Sequence, residues 1–322
     1  MSRINQILAI TLVAQVALAA FLFWPRPAAS GGGGFLLPDY KAADVTRLTI
    51  SDSEGKTLAL AKNGENWVLP EAGNFPADST KVTSLLDKIE KVRTNRLVTQ
   101  TEGSHARLKV AADDFNSLLD IGLKEGAGHK LYIGSSAGAS ATHVRADDRP
   151  EVYLTGDLTS FDANAQASAW INTLYFTVPQ TATTGLTLEN ANGTFEFVKE
   201  GEKWTLKGLK AGETFNENNF TSLFSQASGI NMTEPLGQTE EPTYGLDKPL
   251  ATVRLKTADK TYTLTIGAKS DEDNSYVVKS SESPYYVRVA EFTAQNFTEK
   301  KRDDFLQPPP TAEPGAEATP AP

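Results

Sequence analysis

Along most of the chain apolar residues alternate with polar ones in short runs, and twice this period of two gives way to a helical one. In "VTRLTISDSEGKTLALAKNGENWVLP", from Val45 to Pro70, two strands flank a turn at Gly55, and a third strand carrying Trp67 follows Gly64. "TTGLTLENANGTFEFVKEGEKWTLKG", from Thr183 to Gly208, repeats the plan with Gly193, Gly201 and Trp204. Each meander leads into an amphipathic helix. In Pro76–Val92 one face holds Val82, Leu85, Leu86 and Ile89, and Asp78 is the predicted N-cap. In Asn216–Ile230 the same spacing brings Phe220, Leu223, Phe224 and Ala227 together. Phe75 and Phe215 precede the two helices in matching places.

The match continues beyond the helices. Leu-x-Ile-Gly occurs at Leu131–Gly134 and again at Leu264–Gly267, and a strand led by proline follows each, at Pro150 and Pro284. Matched positions lie roughly 130–140 residues apart, far beyond a solenoid period, which signifies two copies of one domain. The predicted fold class is α+β: two tandem antiparallel sheets, each with a helix packed on it. The predicted boundaries are an anchor and tether over 1–34, a first repeat over 35–178, a second over 179–307 and a disordered tail over 308–322. Proline, alanine and glutamate dominate that tail, and such a composition builds no core.

The amino terminus supplies an address. Ile4 to Trp24 reads "INQILAITLVAQVALAAFLFW", an uncharged run of about 21 residues, the length that crosses a bilayer. Arg3 precedes it, Trp24 stands where an interfacial aromatic belongs, and Pro25 and Pro27 end the helix. A cleaved signal peptide is the rival reading, but the apolar run continues through Phe21–Trp24, past the small residues Ala17 and Ala19. The expected topology is a single-pass protein with its amino terminus in the cytoplasm and the bulk of the chain outside.

Composition narrows the chemistry. The net charge is -9, and the densest basic cluster, Lys300-Lys301-Arg302, runs directly into Asp303-Asp304, so no nucleic-acid surface is predicted. Cysteine is absent, which removes disulfides, thiol nucleophiles and a lipidated cysteine. The three histidines, His105, His129 and His143, are scattered, and no cofactor is expected.

Several residues are candidates for chemistry. In "DEDNSYVVKSSE" oxygen-bearing side chains at Asp271, Asp273, Ser275 and Glu282 follow the spacing of a calcium loop, although Tyr276 takes the place such a loop gives to glycine. A solvated hairpin is the competing reading. Ser135 or Ser136 with His143 has the types of a nucleophile and base, without the strand-to-helix elbow that frames such a pair. Trp67 and Trp204 have faces a sugar could stack on, but their equal placement in both copies favours shared core positions. A hydrolase would need distant carboxylates to converge, for example Asp247 with Asp271 or Glu282. Tyr244-Gly245-Leu246-Asp247-x-Pro249 reads as a corner. Gly245 allows a left-handed turn, Asp247 accepts backbone hydrogen bonds, Tyr244 and Leu246 pack inward, and Pro249 introduces an edge-type strand.

The tryptophan after a two-strand meander, the Pro-Ala-Asp opening of a helix, Tyr-Gly-Leu-Asp-x-Pro and Leu-x-Ile-Gly together resemble the bacterial family catalogued as domain of unknown function 4340. The resemblance covers Val45 to Leu306. The first copy has only "HARLKVAADDF", His105 to Phe115, where the second has its Tyr-Gly-Leu-Asp corner. The resemblance implies an envelope protein with one amino-terminal helix, and some relatives lie beside ABC transporter components of the gliding-motility type. It implies no active-site residue. The expected function is therefore a non-enzymatic, membrane-anchored accessory module with a protein partner in the envelope, such as a transporter subunit. The alternatives are an envelope hydrolase and a calcium- or glycan-binding surface protein.

Overall fold

A computed structural model describes residues 33–308 except 139, together with the single position 15. Apart from Gln15, the apolar run Ile4–Trp24 lies outside these residues, as does nearly all of the proline-rich tail. No helix among the described residues is long and apolar enough to cross a membrane.

The first unit opens with the meander β1 (Val45–Asp52), β2 (Thr57–Asn63) and β3 (Asn66–Leu69), followed by the short β4 (Phe75–Pro76). A helix over Ser79–Lys91 leads to β5 (Leu97–Thr99), then β6 (Ser117–Leu123), β7 (His129–Ser136), β8 (Thr142–Ala146) and β9 (Val152–Thr155). The strands form one antiparallel sheet in the order β4-β3-β2-β1-β6-β7-β8-β9-β5. After the linking strand β10 (Leu174–Thr177), the second unit has β11 (Thr183–Asn190), β12 (Gly193–Glu200) and β13 (Lys203–Leu206). Its helix spans Glu217–Ser228, followed by β14 (Gly229–Asn231), β15 (Glu234–Gly237), β16 (Ala251–Thr257), β17 (Thr261–Lys269), β18 (Tyr276–Ser280) and β19 (Tyr286–Val289). Its sheet order, β13-β12-β11-β16-β17-β18-β19-β15, is that of the first unit without the short outer strand. The chain is thus two sheet-and-helix units in tandem.

The helix faces follow the periodicity. Val82, Leu85, Leu86 and Ile89 are buried in one unit and Phe220, Leu223, Phe224 and Ala227 in the other. Burying a valine, leucine, isoleucine or phenylalanine side chain contributes about 1.5–3 kcal/mol over leaving it exposed. The caps serve the free amides of the first turn: the Asp78 carboxylate accepts from Thr80 N and Lys81 N, and the Asn216 side chain from Asn219 N. The meander turns use the φ > 0 glycines the sequence offers, such as Gly55 at 85° and Gly64 at 64°.

The units share one continuous hydrophobic core. The linking strand β10 pairs with β14, which carries the second unit's pairing back to Leu174, ahead of the Val178–Pro179 division. Tyr175 fastens the link: its hydroxyl donates to Tyr285 O at 2.7 Å and accepts from Ser280 N at 2.8 Å. Across the junction the Phe75 and Tyr285 rings meet edge to face at 4.8 Å. Gly73 and Gly237, both at φ > 0, stand back to back, and a Cβ on Gly73 would come within 3.2 Å of Gly237 Cα.

Candidate functional site

The Tyr244 corner is built against the Leu-x-Ile-Gly strand. Gly245 adopts φ 63°. This turn drives the Tyr244 carbonyl onto Gly267, where a Cβ would collide with it, while Leu246 packs on the same glycine. The first unit makes the same corner from Leu108-Lys109-Val110. Lys109 takes φ 57°, the left-handed turn that glycine fills in the other copy, and the Leu108 carbonyl presses on Gly134. Leu-x-Ile-Gly and the corner are two halves of one device, present in both units.

Two details of the corner differ from the sequence-based expectation. Asp247 is exposed and has no hydrogen-bond partner among the described residues, so it does not close the turn. Pro249 introduces β16, which lies between β11 and β17 and is an interior strand. The proline stands before the first paired residue, Ala251, and so removes no hydrogen bond from the ladder.

A cation backs each corner, a buried arginine in one unit and a half-buried lysine in the other. In the first unit Arg145 stacks over Tyr132 at 4.0 Å and donates from Nε to Val110 O at 2.7 Å. Lys279 holds the matching position in the second, 5.4 Å from the Tyr286 ring, and burial lowers its pKa. The Tyr286 hydroxyl donates to Glu240 at 3.0 Å; burial first, then this carboxylate, pushes its pKa up.

The acidic loop does not converge. Asp273 accepts from Ser275 N at 3.0 Å and Ser275 Oγ at 2.7 Å, closing a local turn. Partial burial works against its ionisation, but these bonds outweigh it and hold the carboxyl below its ordinary range. Glu282 lies beyond the far end of β18 and pairs with Lys260, just ahead of β17. Asp271 follows the other end of that nine-residue strand, which is about 25–30 Å long. Glu282 is therefore remote from Asp271, Asp273 and Ser275, and neither a calcium loop nor a carboxylate pair through Glu282 is assembled. Among the described residues no three acidic or histidine side chains are grouped to hold a metal.

Ser135 and His143 do meet, with Oγ 3.2 Å from Nδ1. The same Nδ1 lies 2.8 Å from the Ser135 carbonyl, which can only accept, so Nδ1 carries the proton and cannot take one from the hydroxyl. The pair sits in the β7–β8 bulge, where the second unit has Ala268 and Val277. Trp67 is buried in the core, and Trp204 packs on Phe220 at 4.9 Å and Phe224 at 5.0 Å.

Between the units lies a cleft with a volume of about 350 Å³, whose lining residues are not readable from the sequence. Leu69 and Glu71 form one wall; Glu234, Glu241, Tyr244 and Arg288 form the other. Arg288 Nη1 donates to Ser275 Oγ at 3.3 Å, which ties the acidic loop to the cleft. Only the sheet order could have indicated it, because Glu71 and Arg288 are more than two hundred residues apart.

A family described as a domain of unknown function (DUF4340) matches residues 67–249, more than half of the chain. The chain belongs to that family. DUF4340 occurs in bacterial envelope proteins. The match is narrower than the expected Val45–Leu306: it begins at Trp67 in β3 and ends at Pro249, so it straddles the two units and includes wall residues of the cleft from both sides, Leu69 and Glu71 from one and Glu234, Glu241 and Tyr244 from the other. No curated protein and no solved structure matches the chain.

Proposed function

We propose that this DUF4340 chain is an accessory module of the bacterial envelope, anchored through Ile4–Trp24, working outside the cytoplasm and engaging a protein partner such as a transporter subunit. The observation that carries this reading is the cleft between the units. A shared core, Tyr175 and the Phe75–Tyr285 contact fix its two walls, so a partner segment entering it meets a preformed surface. A rigid receptor lowers the ordering cost of binding, and a membrane anchor raises the effective concentration of a weak binder near a membrane partner. Glu71, Glu234 and Glu241 against Arg288 give the cleft a mixed charge suited to polar main chain and a basic side chain.

The test is crosslinking and mass spectrometry of the full-length chain, gently extracted from its membranes, beside an Arg288→Glu variant. The reading predicts recovery of membrane subunits, crosslinks flanking the cleft, and loss of both in the variant. Recovery of no specific protein with a folded, abundant bait would contradict it.

A further inference from the structure

The described fold begins in a short ribbon. Leu36 N donates to Val92 O at 2.8 Å, Thr94 N donates to Gly34 O at 3.0 Å, and Phe35 bridges Arg93. The ribbon leads directly into β5, an edge of the first sheet. The matching edge of the second sheet, β15, is covered by the first unit at Ala72 and Gly73. On β5 and the ribbon, by contrast, Leu97, Phe35 and Val98 are 51%, 43% and 39% exposed. Two exposed arginines stand among them. Arg93 lies over the Phe35 ring at 3.9 Å, and neither Arg93 nor Arg96 has a carboxylate partner among the described residues.

Resting on the anchor proposed above, we infer that this patch, Phe35 with Arg93, Arg96, Leu97 and Val98, lies on the anionic headgroup layer of the membrane. Guanidinium groups bind phosphate oxygens through paired donors. Apolar side chains between them gain by entering the headgroup–acyl boundary. In a chain of net charge -9, two unpaired arginines beside three exposed apolar side chains form a local exception suited to such a surface. Chain length places the patch within reach: nine residues from Trp24 to Gly33 span at most about 30 Å. A stripe facing the bilayer would fix the orientation of the first sheet and leave the cleft between the units to a protein.

Because the chain has no cysteine, a single Leu97→Cys substitution in the full-length protein accepts one polarity-sensitive fluorophore. Phe292→Cys, 72% exposed in the second unit, is the control. Both are reconstituted into vesicles of phosphatidylcholine, with and without phosphatidylglycerol. At position 97 the anionic vesicles should give a blue shift and a several-fold loss of quenching by a water-soluble quencher, with neither change at 292. Protection should weaken with salt, and by about fivefold for each arginine reversed in Arg93→Glu and Arg96→Glu. Arg96→Glu alone serves if the double variant does not fold. Equal quenching at 97 and 292 would overturn the inference, as would protection of 97 in native membranes but not in lipid vesicles, which would assign the edge to a protein strand. Carbonate extraction separates the two readings. Release of the chain defeats the anchor and this inference together; retention with position 97 open to water defeats only the inference.

Discussion

The carbonyl oxygen of Tyr244 occupies the space that a Cβ on Gly267 would need. Leu108 and Gly134 repeat the relationship in the first unit. The glycine of Leu-x-Ile-Gly is therefore fixed by the corner that presses on it, not by a turn of its own. Gly267→Ala and Gly134→Ala should each cost about 3 kcal/mol or more, or abolish folding, because backbone rather than a flexible side chain must give way. Denaturant unfolding of the two variants measures this. A loss below about 1 kcal/mol would show that the corner yields easily.

Lys109 adopts a left-handed conformation that an L-residue with a Cβ occupies at a cost of about 1–2 kcal/mol. Its exposed ion pair with Asp114, at 2.7 Å, returns little of that. Lys109→Gly should therefore stabilise the chain by about 0.5–1 kcal/mol once the greater freedom of unfolded glycine is counted. Gly245→Lys should destabilise it. Thermal melts of the pair give both signs.

How much of this was legible in the sequence depended on the range of the interaction. The meanders, both helices and the cap of the first helix rest on contacts within a few residues, so spacing and residue type revealed Val82–Ile89, Phe220–Ala227 and Asp78. The first-unit corner was hidden because Lys109 does by strain what Gly245 does freely. Gly134 was its visible trace. The interior placement of β16 and the cleft were not legible, because sheet order and the meeting of Glu71 with Arg288 depend on contacts far apart in the chain. Ser135 and His143 show the opposite limit: the contact is real, but the shared carbonyl that fixes the proton on Nδ1 is invisible to a motif.

If that contact only fills the bulge, the residues of the second unit should replace it. Ser135→Ala with His143→Val should change stability by no more than about 1.5 kcal/mol and leave partner recovery unchanged. Denaturation and the crosslinking profile of the double variant check this. Loss of partner recovery in a folded variant would assign the pair a role beyond packing.

Asp162 links acid stability to the first helix. Partial burial opposes its ionisation, but the Lys88 ammonium at 2.6 Å and the Thr159 hydroxyl and amide hold its pKa below the ordinary carboxylate range. With the folded value depressed, the stabilisation is complete above the unfolded pKa of about 3.9 and is lost as pH falls through the folded one. Asp162→Asn should cost about 1 kcal/mol at neutral pH, a modest figure because Lys88 is partly exposed. The difference from the native chain should close in acid. Melting both proteins from pH 7 downward tests the sign.

The most direct measurement of the proposed role is the side of the membrane on which the units stand. The full-length chain with Phe161→Cys, the most exposed large apolar position among the described residues at 92%, would carry its only thiol there. Bacterial cells with a permeabilised outer envelope and an intact inner membrane are treated with a membrane-impermeant maleimide and then extracted with carbonate. An anchored extracytoplasmic module predicts labelling before lysis and retention of the labelled chain in the membrane pellet. Labelling only after the inner membrane is broken, or release into the carbonate supernatant, would contradict it.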